Sequence, residues 1–319
     1  MNSKLNRRDL FKTGGIALGA AAVSAASNAA VPADDGSKFR YCLNMSTIAG
    51  PRNAPKKLTI VEEVEVAGKA GYQAIEPWLR KIKPYVEAGG SLKDLGKRIA
   101  DYGMTVESAI GFASWIVDDE AKRATGLEEM KRDMDWLAQI GGKRIAAPPA
   151  GAYRGDPVEL DAAAERYRKV LELGDESGVT PQIEMWGGNP SIGTVEKAVY
   201  IAIKAGHPKA CFLGDVFHTY RGKCDFNGLK LLGPQALQCF HMNDYPADPP
   251  QDTIRDSHRV YTGDGIAPMN DILRGFASVG AYPVLSLELF NPEYWKMPAL
   301  ENAKLGLKKL KASVAEAFG

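Results

Sequence analysis

Pro181-Gln182-Ile183-Glu184-Met185-Trp186, Phe212-Leu213-Gly214-Asp215-Val216-Phe217-His218, Leu237-Gln238-Cys239-Phe240-His241-Met242-Asn243-Asp244 and Leu285-Ser286-Leu287-Glu288-Leu289-Phe290 share one pattern. In each, a short apolar run ends on a carboxylate or an imidazole. Runs that are continuously apolar rather than alternating read as strands buried on both faces, the condition of a parallel sheet covered by helices.

Working outward, four more such runs precede these: Phe39–Ile48, Tyr72–Trp78, Thr105–Phe112 and Arg144–Pro148. The last four strands are expected at Pro181–Trp186, Ala210–Phe217, Leu237–Asn243 and Val284–Phe290. Between them lie amphipathic helix patterns at Thr59–Ala70, Ser91–Tyr102, Leu127–Ile140, Leu160–Ser177, Thr194–Ala205 and Met269–Val279. A short, weak pattern covers Leu229–Gln235, and a final helix is expected over Ala299–Phe318. Gly71, Gly103, Gly141, Gly178, Gly206 and Gly280 follow helices, where a left-handed residue ends the element. Eight strand–helix units predict a single-domain (β/α)8 TIM barrel over residues 39–319. An open doubly wound sheet would carry a Gly-rich phosphate loop after its first strand. Asn44-Met45-Ser46-Thr47 is not one, and Gly141-Gly142 precedes a strand.

In such a barrel, function gathers where strands end and βα loops begin. A lone Glu at a strand end is most often a hydrogen-bonded structural residue. Glu184, Asp215, His241 and Glu288 stand at four consecutive strand ends, and burying them unpaired would be costly; one shared cation relieves all four.

This set resembles the metal site of the xylose-isomerase-like TIM barrels of the sugar phosphate isomerase/epimerase family. Asp215-Val216-Phe217-His218 is similar to that family's D-x-x-H after strand six. His241-Met242-Asn243-Asp244 is similar to its H-x-x-D after strand seven. Gly263-Asp264-Gly265 and Glu288-Leu289-Phe290-Asn291-Pro292 resemble its closing segments, and the match spans about residues 38–315. One imidazole with three carboxylates is a hard, oxygen-rich donor set. Mn²⁺ is the first expectation, with Mg²⁺, Co²⁺ or Zn²⁺ as alternatives. The resemblance implies proton abstraction beside a sugar or cyclitol carbonyl, with a metal-stabilised enediolate and Glu184 and Glu288 as the acid–base pair. It also implies that His218 contacts a substrate oxygen. The outcome is isomerisation or epimerisation, or elimination on a keto-sugar, keto-glycoside or inosose in a lyase. A metal-stabilised barrel that only binds sugar is the non-catalytic alternative.

Arg259, in the long loop after strand seven, is placed to bind a hydroxyl or carbonyl. Glu76 closes strand two, where the family often has a glutamate, and would bind substrate or orient its neighbours. Trp115 and Trp186, just past strands three and five, are candidates for a sugar-stacking wall. The chain departs from the ketose epimerases at Ala247, where they carry an arginine six residues after the metal histidine. The Pro246–Pro250 stretch and long loop point to a remodelled substrate pocket.

Residues 1–29 read as a removable export signal. Arg7-Arg8 precedes a mild apolar stretch, Thr13 to Ala26, and Ser27-Asn28-Ala29 is a small-x-small cleavage pattern. The expectation is a twin-arginine signal, its export machinery as partner, and a periplasmic or secreted bacterial enzyme that does not span the membrane when mature. Residues 30–38 form a linker. Losing Lys4, Arg7, Arg8, Lys12 and Asp9 takes the formal charge from +1 to about −2. With 45% apolar and 25% charged residues the composition is globular, and no basic stripe points to nucleic acid. With four histidines in all, a three-metal phosphodiesterase is disfavoured. Cys42, Cys211, Cys224 and Cys239 form no CxxC pair and read as free thiols, Cys42, Cys211 and Cys239 lying within apolar runs. A homo-oligomer is left open, and the substrate is expected to be a carbohydrate.

Overall fold

The structure, a computed structural model, describes residues 36–50 and 57–319. The signal of residues 1–29 and most of the linker lie outside the described residues. Eight strands follow in chain order: β1 Arg40–Asn44, β2 Ala74–Glu76, β3 Thr105–Val106, β4 Arg144–Ala147, β5 Thr180–Glu184, β6 Phe212–Asp215, β7 Leu237–Met242 and β8 Val284–Leu287. The helices are α1 Ile60–Ala70, α2 Leu79–Glu87, α3 Leu92–Asp101, α4 Glu120–Gln139, α5 Leu160–Ser177, α6 Val195–Ala205, α7 Val216–Arg221, α8 Met269–Ser278 and α9 Ala299–Phe318.

All neighbouring strands pair in parallel, in the order β3-β2-β1-β8-β7-β6-β5-β4. First and last strands join directly, Cys42 opposite Ser286 and Leu43 opposite Leu287. The remaining gap is closed by two backbone bonds: Lys143 N–H donates to the Val106 carbonyl at 3.2 Å, and Ala146 N–H to the Ala109 carbonyl at 2.8 Å. The sheet is therefore a closed (β/α)8 barrel, as the alternation of patterns predicts.

Strands are shorter than the apolar runs that announce them, because each chain turns away once its inward side chain is delivered. The run from Phe39 to Ile48 splits into β1 and a 3-10 turn, Met45–Ile48. The run from Thr105 to Phe112 leaves only two residues in regular pairing. Helix α2 was not anticipated: Pro84 sits inside it and obscures the pattern, yet Leu79 and Ile82 pack one face inward. The pattern at Leu229–Gln235 is a 3-10 turn over Phe226–Leu231 instead. Helices α1, α3, α4 and α6 start on Thr59, Ser91, Asp119 and Thr194, whose side chains accept the N3 backbone N–H. Helices α1 and α5 end on Gly71 (φ 92°) and Gly178 (φ 75°), values that a Cβ would strain.

Within the barrel, Gly214 of β6 has no room for a side chain. A Cβ there would lie 2.3 Å from the Phe240 ring and 2.6 Å from that of Phe212. The four cysteines are free, with Cys42, Cys211 and Cys239 buried. Among the described residues, no helix is long and apolar enough to cross a membrane.

Just past the short β3, buried Glu107 draws in charges from the starts of β1 and β4. It accepts from Arg40, from Thr105 Oγ1 at 2.7 Å, from Lys143 Nζ at 2.8 Å and from Arg144 Nη1 at 3.2 Å. Burial would raise its pKa. The hydrogen bonds from Lys143 and Thr105 and the charges of Lys143 and Arg40 outweigh that and hold it at about 2. Its charge thus favours the folded state above the unfolded-state pKa and ceases to do so as pH falls through the folded value. Glu107→Gln should cost about 2 kcal/mol at pH 7, less than the roughly 3–5 kcal/mol of a fully buried pair because Arg40 and Lys143 are half in water. That corresponds to about 3 °C in Tm for a domain of this size. In thermal melts the gap should shrink as pH falls from about 4.5 toward 2; a gap unchanged at pH 3 contradicts the charge argument.

Candidate active site and metal centre

Four adjacent strands deliver the polar floor of the barrel mouth. Glu184 ends β5 and Asp215 ends β6. His241 of β7 lies opposite both Asp215 and Ser286, while Glu288 follows β8 with its N–H on the Met242 carbonyl at 3.0 Å. His241 Nδ1 is 3.2 Å from Glu288 Oε2, 3.6 Å from Asp215 Oδ2 and 3.9 Å from Glu184 Oε1. Asp215, His241 and Glu288 each offer one ligand atom within 4.8 Å of the others, a group that can hold a metal ion. Glu184 stands at the edge of this group, with Oε2 buried and without a hydrogen-bond partner.

A surrounding shell fixes each of these side chains. Glu76 Oε2 accepts from His241 Nε2 at 3.0 Å, Ser286 Oγ at 2.6 Å and Asn44 Nδ2 at 2.8 Å. It is fully buried, hydrogen-bonded to His241, and absent from the lining of the cavity above the site. Asn44 Nδ2 also donates to Glu288 Oε1 at 3.0 Å, while its Oδ1 accepts from Trp78 Nε1 at 2.7 Å. Asn243 donates to Asp215 Oδ1 at 3.1 Å. Asp215 Oδ1 also caps α7 by accepting from His218 N–H at 3.0 Å. Because the helix begins at once after β6, His218 swings back into the site instead of pointing away as on an extended strand.

Arg259 enters from the far end of the long loop, bringing a guanidinium to the site despite Ala247. It is buried between the Phe217 and Phe290 rings, at 4.6 and 5.1 Å. Nη1 donates to Asp215 Oδ2 at 2.6 Å and Glu288 Oε2 at 3.0 Å, and Nη2 to Asp256 at 2.5 Å and His218 Nε2 at 3.1 Å. The guanidinium is always protonated, so His218 Nε2 accepts and the imidazole is neutral. Burial, joined by the Arg259 charge, lowers the His218 pKa. Burial would raise that of Asp215, but Arg259 holds it well below the usual range.

The donor set fits a divalent cation. Glu76 fixes Nε2–H as the outward donor of His241, which aims Nδ1 at three carboxylates. Nδ1 is buried without a well-formed hydrogen bond. Burial opposes protonation there, but Glu288 and Glu76 raise the His241 pKa well above the ordinary value. Burial, and then the Glu288 charge, pushes Glu184 up to about 8. Such neighbours favour a positive charge among them, carried here by His241 and Arg259. A metal ion there would be held by Asp215, His241 and Glu288, with Glu184 beside them.

Above this floor opens a cavity of about 700 Å³, lined by Glu184, Glu288, His218 and Arg259 and walled by Trp78, Phe112, Trp186 and Phe290. Trp186 lies in the wall as expected, stacked on Tyr153 at 5.6 Å. Trp115 does not: it is fully buried behind the barrel, its indole N–H on the Pro148 carbonyl at 2.7 Å and its ring 5.9 Å from Tyr167. Phe112, 38% exposed, takes the place expected for Trp115. Sequence reasoning also missed Asn44, Trp78 and Phe290 as parts of the site. Trp78 and Phe290 stand just beyond strand ends, the same signal that marks the carboxylates.

The chain is similar to the inosose isomerase of Bacillus velezensis, 25% identical over 285 residues that cover 88% of this chain and 99% of that one. It is also similar to the 3-dehydroshikimate dehydratase of Pseudomonas aeruginosa, 24% identical over 256 residues, 79% of this chain but 39% of that one. Among solved structures, that of a zinc-bound IOLI protein superimposes with a TM-score of 0.80 at 22% identity, covering 88% of this chain and all of that one. Residues 64–313 match the family model described as xylose isomerase-like TIM barrel. Closed parallel barrel, strand-end donor set and family match agree, and the chain belongs to the xylose isomerase-like TIM barrel family.

Proposed function

We propose that this protein is a divalent-metal-dependent isomerase or epimerase that moves a proton on the carbon beside a sugar or cyclitol carbonyl. The observation that carries the reading is the convergence of Asp215, His241 and Glu288 on one point, with Glu184 beside it, on the floor of a cavity. A bound cation supplies positive charge where negative charge develops on the substrate oxygens. The remaining work falls to side chains. Glu288 accepts hydrogen bonds at both oxygens, from Asn44 and Arg259, and is the group to take the proton. Glu184, whose burial pushes its pKa up to about 8, is the group to return one from the other side of β7. Neutral His218 and charged Arg259 hold substrate oxygens, and the aromatic wall keeps bulk water from the carbon. The likeness to a dehydratase favours elimination as the second reading, in which the proton does not return and a leaving group departs. We read residues 1–29 as a twin-arginine signal and place the enzyme in the periplasm or outside the cell.

Three tests follow from these roles. Asp215→Ala and His241→Ala should each lose tightly bound divalent metal by elemental analysis, with Mn²⁺ tried first, and should lose the thermal stabilisation that metal adds to the parent. Metal content equal to the parent in both variants contradicts the ligand assignment. For the proton step, deuterium wash-in from heavy water into keto sugars and inososes should be seen. Glu184→Gln and Glu288→Gln should lower kcat about 10²–10⁴-fold, whereas His218→Ala should mainly raise KM. Near-normal turnover in both Gln variants with metal retained would sink the two-glutamate mechanism. For export, Arg7→Lys with Arg8→Lys should leave precursor in the cytoplasm, and normal periplasmic levels would disprove the signal.

A further inference from the structure

A second cavity, of about 960 Å³, adjoins the one over the carboxylates, and Trp78, Phe112, Phe290 and Trp295 line both. Trp78 lies 5.4 Å from Phe112 and 5.9 Å from Phe290, edge-on to the latter, so the shared wall is a continuous aromatic surface. Beyond that wall the lining is mainly apolar, with Ala49, Leu58, Ile60, Pro84 and Tyr85, and its uncharged polar side chains besides are the hydroxyls of Ser46 and Thr59.

The combined cleft is chemically two-ended. At one end stand the carboxyls of Glu184, Asp256 and Glu288, the His218 imidazole and the guanidinium groups of Arg221, Arg255 and Arg259, partners for a hydroxyl-rich ring. At the other, no Asp, Glu, Asn or Gln is found among the described lining residues. The cationic side chains there are Lys57, Arg80 and Lys81. Lys81 is engaged by Glu63 at 2.9 Å, and Arg80 lies over the Trp78 ring at 4.0 Å. A second sugar ring in that space would bury hydroxyl donors with few acceptors, which costs free energy for each one left unpaired. A planar apolar group would instead meet aromatic faces and edges at stacking distance, and the basic rim suits a phenolic or acidic substituent on it. A free monosaccharide would leave the larger cavity to water against apolar walls.

We propose that the physiological substrate is a sugar bearing an aryl group, with the sugar over Glu184 and Glu288 and the aryl group in the aromatic groove beyond Trp78 and Phe290. This rests on the reading of the carboxylate end as a sugar site, and extends it to the class of compound. The groove is continuous with that site, which is why its occupant is part of the substrate and not a separate partner.

The test is calorimetric titration of the full chain, with Mn²⁺ present, using phenyl and methyl glycosides of the same hexoses, and cellobiose. The phenyl glycoside should bind at least about tenfold more tightly than its methyl counterpart, and cellobiose no better than the methyl glycoside. Ala49→Trp and Leu58→Trp fill the groove without reaching the carboxylate cavity. Each should abolish the phenyl advantage and leave methyl glycoside affinity unchanged. Two variants guard against one failing to fold, which circular dichroism reports. The proposal is overturned if phenyl and methyl glycosides bind within twofold, if the advantage survives in the folded variants, or if cellobiose gains as much. Deuterium wash-in into keto monosaccharides needs no groove and separates the two readings. Exchange without an aryl preference removes only this inference, and an aryl preference without exchange removes only the isomerase reading.

Discussion

The desolvation of acidic side chains at the mouth of the barrel governs the rest of the site. Glu76, Glu184, Asp215 and Glu288 are all buried within reach of one imidazole, and water cannot screen them. Each would be costly alone. The structure meets that cost with charge of the opposite sign: His241 between Glu76 and the inner carboxylates, and Arg259 bridging Asp215 and Glu288. The same cluster of carboxylates around one imidazole brings Asp215, His241 and Glu288 close enough to hold a metal ion.

Precision comes from the second layer. Asn44 holds Glu76 and Glu288 together, Asn243 holds Asp215, and Trp78 holds Asn44. A single amide thus links the aromatic wall to a proposed proton-transfer group, so a change in the wall is felt at the chemistry. The Arg259 guanidinium, packed between two aromatic rings and tied to Asp256, is similarly constrained. The loops around the cavity therefore rest on elements that packing already holds still, as a preorganised site requires.

Relatives named inosose isomerase and 3-dehydroshikimate dehydratase both match this chain. The proton abstraction proposed above is a first step that isomerisation and elimination can share. What differs is the group that departs or returns afterwards, and that depends on the walls. Here the walls are aromatic, with Trp78, Phe112, Phe290 and Trp295 lining both cavities, and the proposal made above assigns substrate choice to them.

The barrel and its metal-ligating candidates are legible in the chain because both follow short-range rules. Apolar runs with helix patterns between them encode the alternation of elements, the glycines after helices mark their ends, and a carboxylate closing an apolar run is visible by itself. Glu184, Asp215, His241 and Glu288 needed only to be on consecutive strands to converge. Where the side chains of Glu76, Arg259, Asn44 and Trp115 lie is decided by tertiary packing. Glu76 looks like the other strand-end glutamates, but its carboxylate turns to His241 Nε2 because Ser286 and Asn44 donate to it from neighbouring strands. Trp115 looks like Trp186 in sequence, yet the chain after β3 leaves the barrel early and carries it to the outer layer. Such choices depend on contacts between residues as far apart as 44 and 288, and no local pattern encodes which of two equivalent side chains will find its partner first.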